Sequence, residues 1–103
     1  MSDRPTCFFA SFARTPCTGE LVRVHLIEKQ ALRRRGHDPW DERSWVWGCG
    51  GEWPGLMGHH GELDRFKLQV PADRLPPAVL ELAHELGYVP YLERRYGYVR
   101  EAA

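Results

Sequence analysis

The sequence predicts a small α+β domain, and three observations carry that expectation. Two short apolar-alternating stretches, Leu21 to Ile27 and Trp45 to Trp47, are separated by a run of helix-forming residues. A glycine-rich segment, Gly48 to Gly61, leads onto the adjacent histidines His59 and His60. A helical pattern then opens at Pro77 and closes at Gly87.

Taken in order, residues 1 to 16 read as a strand-like or irregular entry with Cys7, Phe8, Phe9 and Phe12 apolar, and Pro16, Thr18 and Gly19 mark a turn around Cys17. Leu21 to Ile27 reads as extended: Val22, Val24 and Leu26 share one face, with Arg23 and His25 on the other. That face suits His25 to work rather than to pack. Glu28 to Arg35 is built of good helix formers and stops at Gly36. Asp38-Pro39 turns the chain into a short aromatic strand, and the glycine-rich loop, which includes Pro54, delivers it to a short helix at His59 or His60. Phe66, Leu68 and Val70 alternate with Lys67 and Gln69, a strand pattern. Val79, Leu82, Ala83 and Leu86 recur at helical spacing after Pro77. Tyr88 to Tyr98 reads as a final strand.

The bulk numbers bound the function. A chain of 103 residues is expected to form one domain, 1–103. Fourteen basic and fourteen acidic residues give a formal net charge of zero, which excludes whole-protein steering of an anionic partner. Any nucleic-acid contact must come from a local cluster. Lys29 and Arg33, Arg34 and Arg35 form one that could touch phosphates, although a solvated helix face is the more frequent meaning of such a run. The N-terminal stretch has no long apolar run, so neither a signal peptide nor a membrane contact is expected, and the default location is the cytoplasm. Three cysteines are an odd number for a disulfide framework, and buried thiols or metal ligands fit better.

His60 and Asp64 are four apart, so on a helix they face one way and could grip one divalent cation. A histidine and a carboxylate with open positions suit a catalytic metal that also binds a phosphate oxygen. His25, with an ordinary pKa close to neutral, could take a proton from water. Base, metal and leaving-group stabilisation are the parts phosphodiester hydrolysis needs. Each has a plainer reading: His25 as a satisfied strand histidine, His59-His60 as a loop feature capping a helix, and Asp64 as a partner for Arg65 or Lys67. Cys7 among phenylalanines reads equally as a buried thiol. His84 reads as structural and His37 as a turn residue. Trp40, Trp45, Trp47 and Trp53 could stack on unpaired bases or pack a small core.

These residues resemble the HNH (ββα-metal, His-Me finger) endonucleases over roughly the middle half of the chain. The resemblance rests on His25-Leu26-Ile27, the histidine and apolar pair that end a strand, and on Cys49, His59, His60 and Asp64 downstream. It implies a ββα-metal core stapled by zinc and extended by the C-terminal helix and strand. It also implies a divalent-metal-dependent endonuclease that hydrolyses DNA, with RNA not excluded. His25 would be the general base, His60 and Asp64 the ligands of Mg²⁺ or Mn²⁺, and Cys7, Cys17, Cys49 and His59 the ligands of a Zn²⁺ that is structural, or alternatively catalytic. Two adjacent helical histidines point about 100° apart and so can serve two different metals. The chain departs from the family at Val24, where an acidic or histidine ligand is usual, at Glu28, where proline is usual, and near Ser44, where the motif has asparagine. Asp38, Asp41 or Glu28 could replace the ligand missing at Val24. The competing expectation is a zinc-stabilised nucleic-acid or protein binding module without catalysis.

Overall fold

A computed structural model describes residues 6–52, 55–65 and 67–98. Its regular elements are two strands, β1 (Leu21–His25) and β2 (Trp45–Cys49), and four helices, α1 (Lys29–Arg34), α2 (Gly58–Asp64), α3 (Pro77–Leu86) and α4 (Val89–Tyr96). Single 3₁₀ turns lie at Phe8–Ser11, Glu42–Ser44 and Ala72–Arg74. The α+β expectation therefore holds. No helix among the described residues is long and apolar enough to cross a membrane.

β1 pairs with β2 in a two-stranded sheet. The Gly50 N–H donates to the Glu20 carbonyl at 3.0 Å before β1 begins, and the Leu26 N–H donates to the Ser44 carbonyl at 2.8 Å after it ends. The partners run in opposite directions along the two strands, which makes the pair antiparallel. The alternation read from the sequence appears as burial, with Val24 and Leu26 inside, Arg23 exposed and His25 half-buried.

Contacts divide the chain into two compact units, each made of two segments: residues 1–24 with 46–69, and 25–45 with 70–103. In the second unit, Leu26, Ile27, Ala31, Leu32, Val79, Leu82, Ala83, Val89, Leu92 and Tyr96 are buried. Here α3 packs on α4 and on the turn Glu42–Ser44. Pro77 starts α3, where a missing N–H costs nothing, and Gly87 ends it in the left-handed conformation at φ 75°.

Two sequence expectations are corrected. The strand predicted at Phe66 to Val70 does not form among the described residues, Phe66 itself lying outside them. The N–H groups of Lys67 and Leu68 both turn back onto the Glu62 carbonyl, at 2.8 and 3.2 Å, and so close the end of α2. Their donors are spent on a helix cap. The final strand expected over Tyr88 to Tyr98 is instead α4, capped by Gly97 at φ 68°. Tyrosines favour strands, but Val89, Leu92 and Tyr96 lie on one helical face and are buried, and the Tyr96 hydroxyl donates to the Leu26 carbonyl. Burial decided against propensity.

Candidate metal centre

Four side chains from four places in the sequence converge in the first unit. Cys7 precedes the 3₁₀ turn, Cys17 lies in the following loop, Cys49 ends β2 and His59 is the second residue of α2. Their ligand atoms all lie within 4.8 Å of one another. The Sγ atoms of Cys7, Cys17 and Cys49 stand 3.4, 3.7 and 3.2 Å from His59 Nδ1. In a tetrahedral zinc site, ligand bonds of about 2.3 Å to sulfur and 2.0 Å to nitrogen put sulfur about 3.5 Å from nitrogen. The spacing fits.

The tautomer fits as well. His59 Nε2 lies 2.8 Å from the Thr15 carbonyl, which can only accept, so the ring proton sits on Nε2 and the Nδ1 lone pair faces the three sulfurs. His59 is fully buried and Cys49 nearly so, whereas Cys7 is half-buried and Cys17 exposed.

The backbone closes tightly round these ligands, and two glycines make that closure. At Gly50 (φ 125°) a Cβ would stand 1.8 Å from the Met57 carbonyl oxygen, and at Gly58 (φ 55°) one would stand 2.4 Å from the Thr18 carbonyl. Any side chain there would push the start of α2, and His59 with it, away from Cys49.

Burial, and then the neighbouring sulfurs of Cys49 and Cys7, push the Cys17 thiol up to about 12. Burial also opposes ionisation of Cys49, but the backbone N–H groups of His59 and Thr18, with the Cys17 and Cys7 side chains, outweigh it and hold Cys49 below its usual value. One thiolate is stabilised by the protein and the next is opposed. Three thiolates together would need a positive charge between them, which a bound metal ion would supply. The Cys₃His set could hold a metal ion such as zinc.

No protein-family model, curated protein or solved structure matches this chain. The chemistry of the remaining residues is therefore read from their own geometry. His60 follows His59 on α2, half-buried, with Nδ1 2.7 Å from the Gly51 carbonyl. Its proton is thus on Nδ1 and its lone pair on Nε2. Asp64, the last residue of α2, is exposed. Among the described residues neither belongs to a group of three or more metal-ligating side chains.

In the second unit, His25 ends β1 with Nε2 2.6 Å from the Pro39 carbonyl and its ring edge-on to Trp40 at 4.9 Å. Lys29 lies over the Trp40 ring at 4.6 Å. Ser44, near the expected asparagine, is buried, and its main-chain carbonyl receives the N–H groups of both Leu26 and Ile27. Arg33, Arg34 and Arg35 are exposed at the C-terminal end of α1, where positive charge also complements the helix dipole. Arg35 lies over the Tyr88 ring at 4.9 Å. Trp53 and Pro54 lie outside the described residues.

Sequence reasoning missed the parts that act through backbone atoms, namely the Thr15 and Gly51 carbonyls and the Gly50 and Gly58 approaches. It also missed the group His37, Asp41 and Arg43. The four-residue spacing of His37 and Asp41 was the available signal for that group.

Proposed function

We propose that this chain is a divalent-metal-dependent endonuclease of the HNH kind, stapled by zinc on Cys7, Cys17, Cys49 and His59, that hydrolyses DNA phosphodiester bonds with His25 as general base. One observation carries this reading. His25 and His60 each give a ring proton to a backbone carbonyl, that of Pro39 and of Gly51, and are held in a fixed orientation. A base and a metal ligand both need that preparation.

The Pro39 carbonyl fixes the proton on His25 Nε2, so Nδ1 is the basic nitrogen. Nδ1 takes a proton from water as the water oxygen bonds to phosphorus and the bond to the leaving 3′ oxygen breaks. The products are a 3′ hydroxyl and a 5′ phosphate. His60 Nε2 and the Asp64 carboxylate would hold Mg²⁺ or Mn²⁺, which would supply positive charge to a phosphate oxygen. Exposed Arg33, Arg34 and Arg35 offer phosphate contacts that position the strand.

The test is nicking of supercoiled plasmid in Mg²⁺, Mn²⁺ or EDTA, by wild type beside His25→Ala and His60→Ala, each with its zinc content measured. Metal-dependent nicking by wild type, lost in both zinc-loaded variants, is expected. Undiminished nicking by His25→Ala would remove it from the mechanism.

The binding-module reading is favoured by a single residue. Val24 is 1% exposed and apolar, and it stands where the family has a metal ligand. Salt-dependent DNA binding without any cleavage by zinc-loaded wild type would select that reading.

A further inference from the structure

We propose that Asp41 is a positioning residue for His25, acting through a side-chain clasp that fixes the loop between α1 and β2.

His25 takes its tautomer from the Pro39 carbonyl, and the two residues after His25 are held by the Ser44 carbonyl. Both acceptors belong to one stretch, residues 37 to 44, and Asp41 ties that stretch together. Its Oδ1 accepts from the Arg43 N–H at 2.9 Å and from Arg43 Nε at 3.2 Å. Its Oδ2 lies 2.9 Å from Arg43 Nη2 and 2.7 Å from His37 Nε2. Its own carbonyl accepts from Ser44 Oγ at 2.6 Å and from the Ser44 N–H at 2.9 Å. Inside this ring the loop is pinned again, by Asp38 Oδ1 accepting from the Trp40 N–H at 2.9 Å. Outside it, Arg43 Nη2 reaches Glu85 on α3 at 2.9 Å.

Both oxygens of Asp41 are thus committed to Arg43 and His37, and Arg43 holds the carboxyl well below the usual carboxylate range. Such a carboxylate serves as an anchor, and it does not supply the metal ligand missing at Val24. An asparagine side chain would organise such a loop through one amide. Here a ring of three side chains does so, and its output is the placement of two carbonyls on the segment that carries His25.

The consequence for cleavage rests on the nuclease reading, but the placement of the ring does not, so the two are measured separately. The ¹⁵N shifts of the His25 imidazole report which nitrogen carries the proton. Wild type is expected to show a single Nε2–H tautomer. Asp41→Ala is expected to show a mixture of tautomers with zinc still bound, and Asp41→Asn an intermediate one. Glu85→Gln weakens the shorter of the two ties from Arg43 to α3, the other running to Glu81 at 3.9 Å, and is expected to leave the tautomer unchanged. If wild type cleaves DNA, kcat in Asp41→Ala is expected to fall by about a hundredfold at unchanged KM, the cost of misplacing a catalytic group. A folded Asp41→Asn that keeps the single tautomer overturns the proposal, and so does a Glu85→Gln variant that loses it. Absence of cleavage by wild type counts against the nuclease reading alone, because the tautomer still decides the role of Asp41.

Discussion

The two compact units are held together by different physics. Among the described residues, the first contributes only Phe9, Val24, Cys49 and Leu63 to the buried apolar set, and Cys49 is one of the converging ligands. The second contributes twelve: Leu26, Ile27, Ala31, Leu32, Val70, Leu75, Val79, Leu82, Ala83, Val89, Leu92 and Tyr96. With three buried apolar side chains beyond its ligands among the described residues, the first unit has more to gain from a metal staple than the second. The other unit has a core of its own. Residues that could coordinate a metal and residues that pack are thus separated, and each class should fail in its own way.

Removing the staple should give the largest effect. Zinc in a structural site contributes about 10–16 kcal/mol of coupled folding and binding free energy. Chelation, or Cys49→Ser, is expected to abolish amide protection in β2 and α2 while α3 and α4 keep theirs. Residue-resolved hydrogen exchange checks this, and equal loss in both units would break the comparison.

A core truncation should act the other way. Leu82 is fully buried in α3, and Leu82→Ala is expected to cost about 2–5 kcal/mol, visible as a lower urea midpoint, while the protein still binds one zinc.

Acid should sharpen the difference at smaller cost. Asp41 in the second unit is held well below its ordinary value, first by the Arg43 side chain, then, with partial burial opposing, by the Arg43 N–H and His37. A depressed carboxylate adds stability that is fully present above its unfolded pKa of about 4 and is lost as pH falls through the folded value. Thiolate ligands compete with protons at much higher pH. On titration downward from neutrality, a zinc-sensitive dye is therefore expected to respond before the helical circular dichroism of α3 and α4 declines. Coincident midpoints would mean that both units share one acid-sensitive support.

How much was legible in the sequence follows the same division. α3 could be read directly, because Pro77, the spacing of Val79, Leu82 and Ala83, and Gly87 all agree. α4 was hidden by its tyrosines, since strand propensity and helical period pointed in opposite directions and the period was right. β1 and α1 were found within a residue or two because alternation and composition changed sharply at Glu28. The four residues of the metal centre were named only through the family resemblance, and their ligand atoms do converge. Cys7 and Cys17 are ten apart, as are Cys49 and His59, so no short knuckle announces that their ligand atoms meet. Their approach depends on the backbone passing close at Gly50 and Gly58, and residue identities alone do not encode such a distance. The Asp41 ring was misread at His37 for the same reason: a turn residue and a clasp look alike until the loop is closed.

The division of segments has a consequence for synthesis. Residues 25–45 interrupt the first unit, and residues 46–69 interrupt the second. Neither unit can be excised as one continuous stretch. As the chain is made from its N-terminus, every thiol and imidazole of the Cys₃His cluster exists once His59 has been added, and the first unit is complete at Gln69. At that moment residues 25–45, including His25 and the Asp41 ring, are already present, but α3 and α4, which complete their unit, have not yet been made. The nascent protein can therefore present its complete Cys₃His set to a metal ion before the segment that carries its candidate base has a core to rest in.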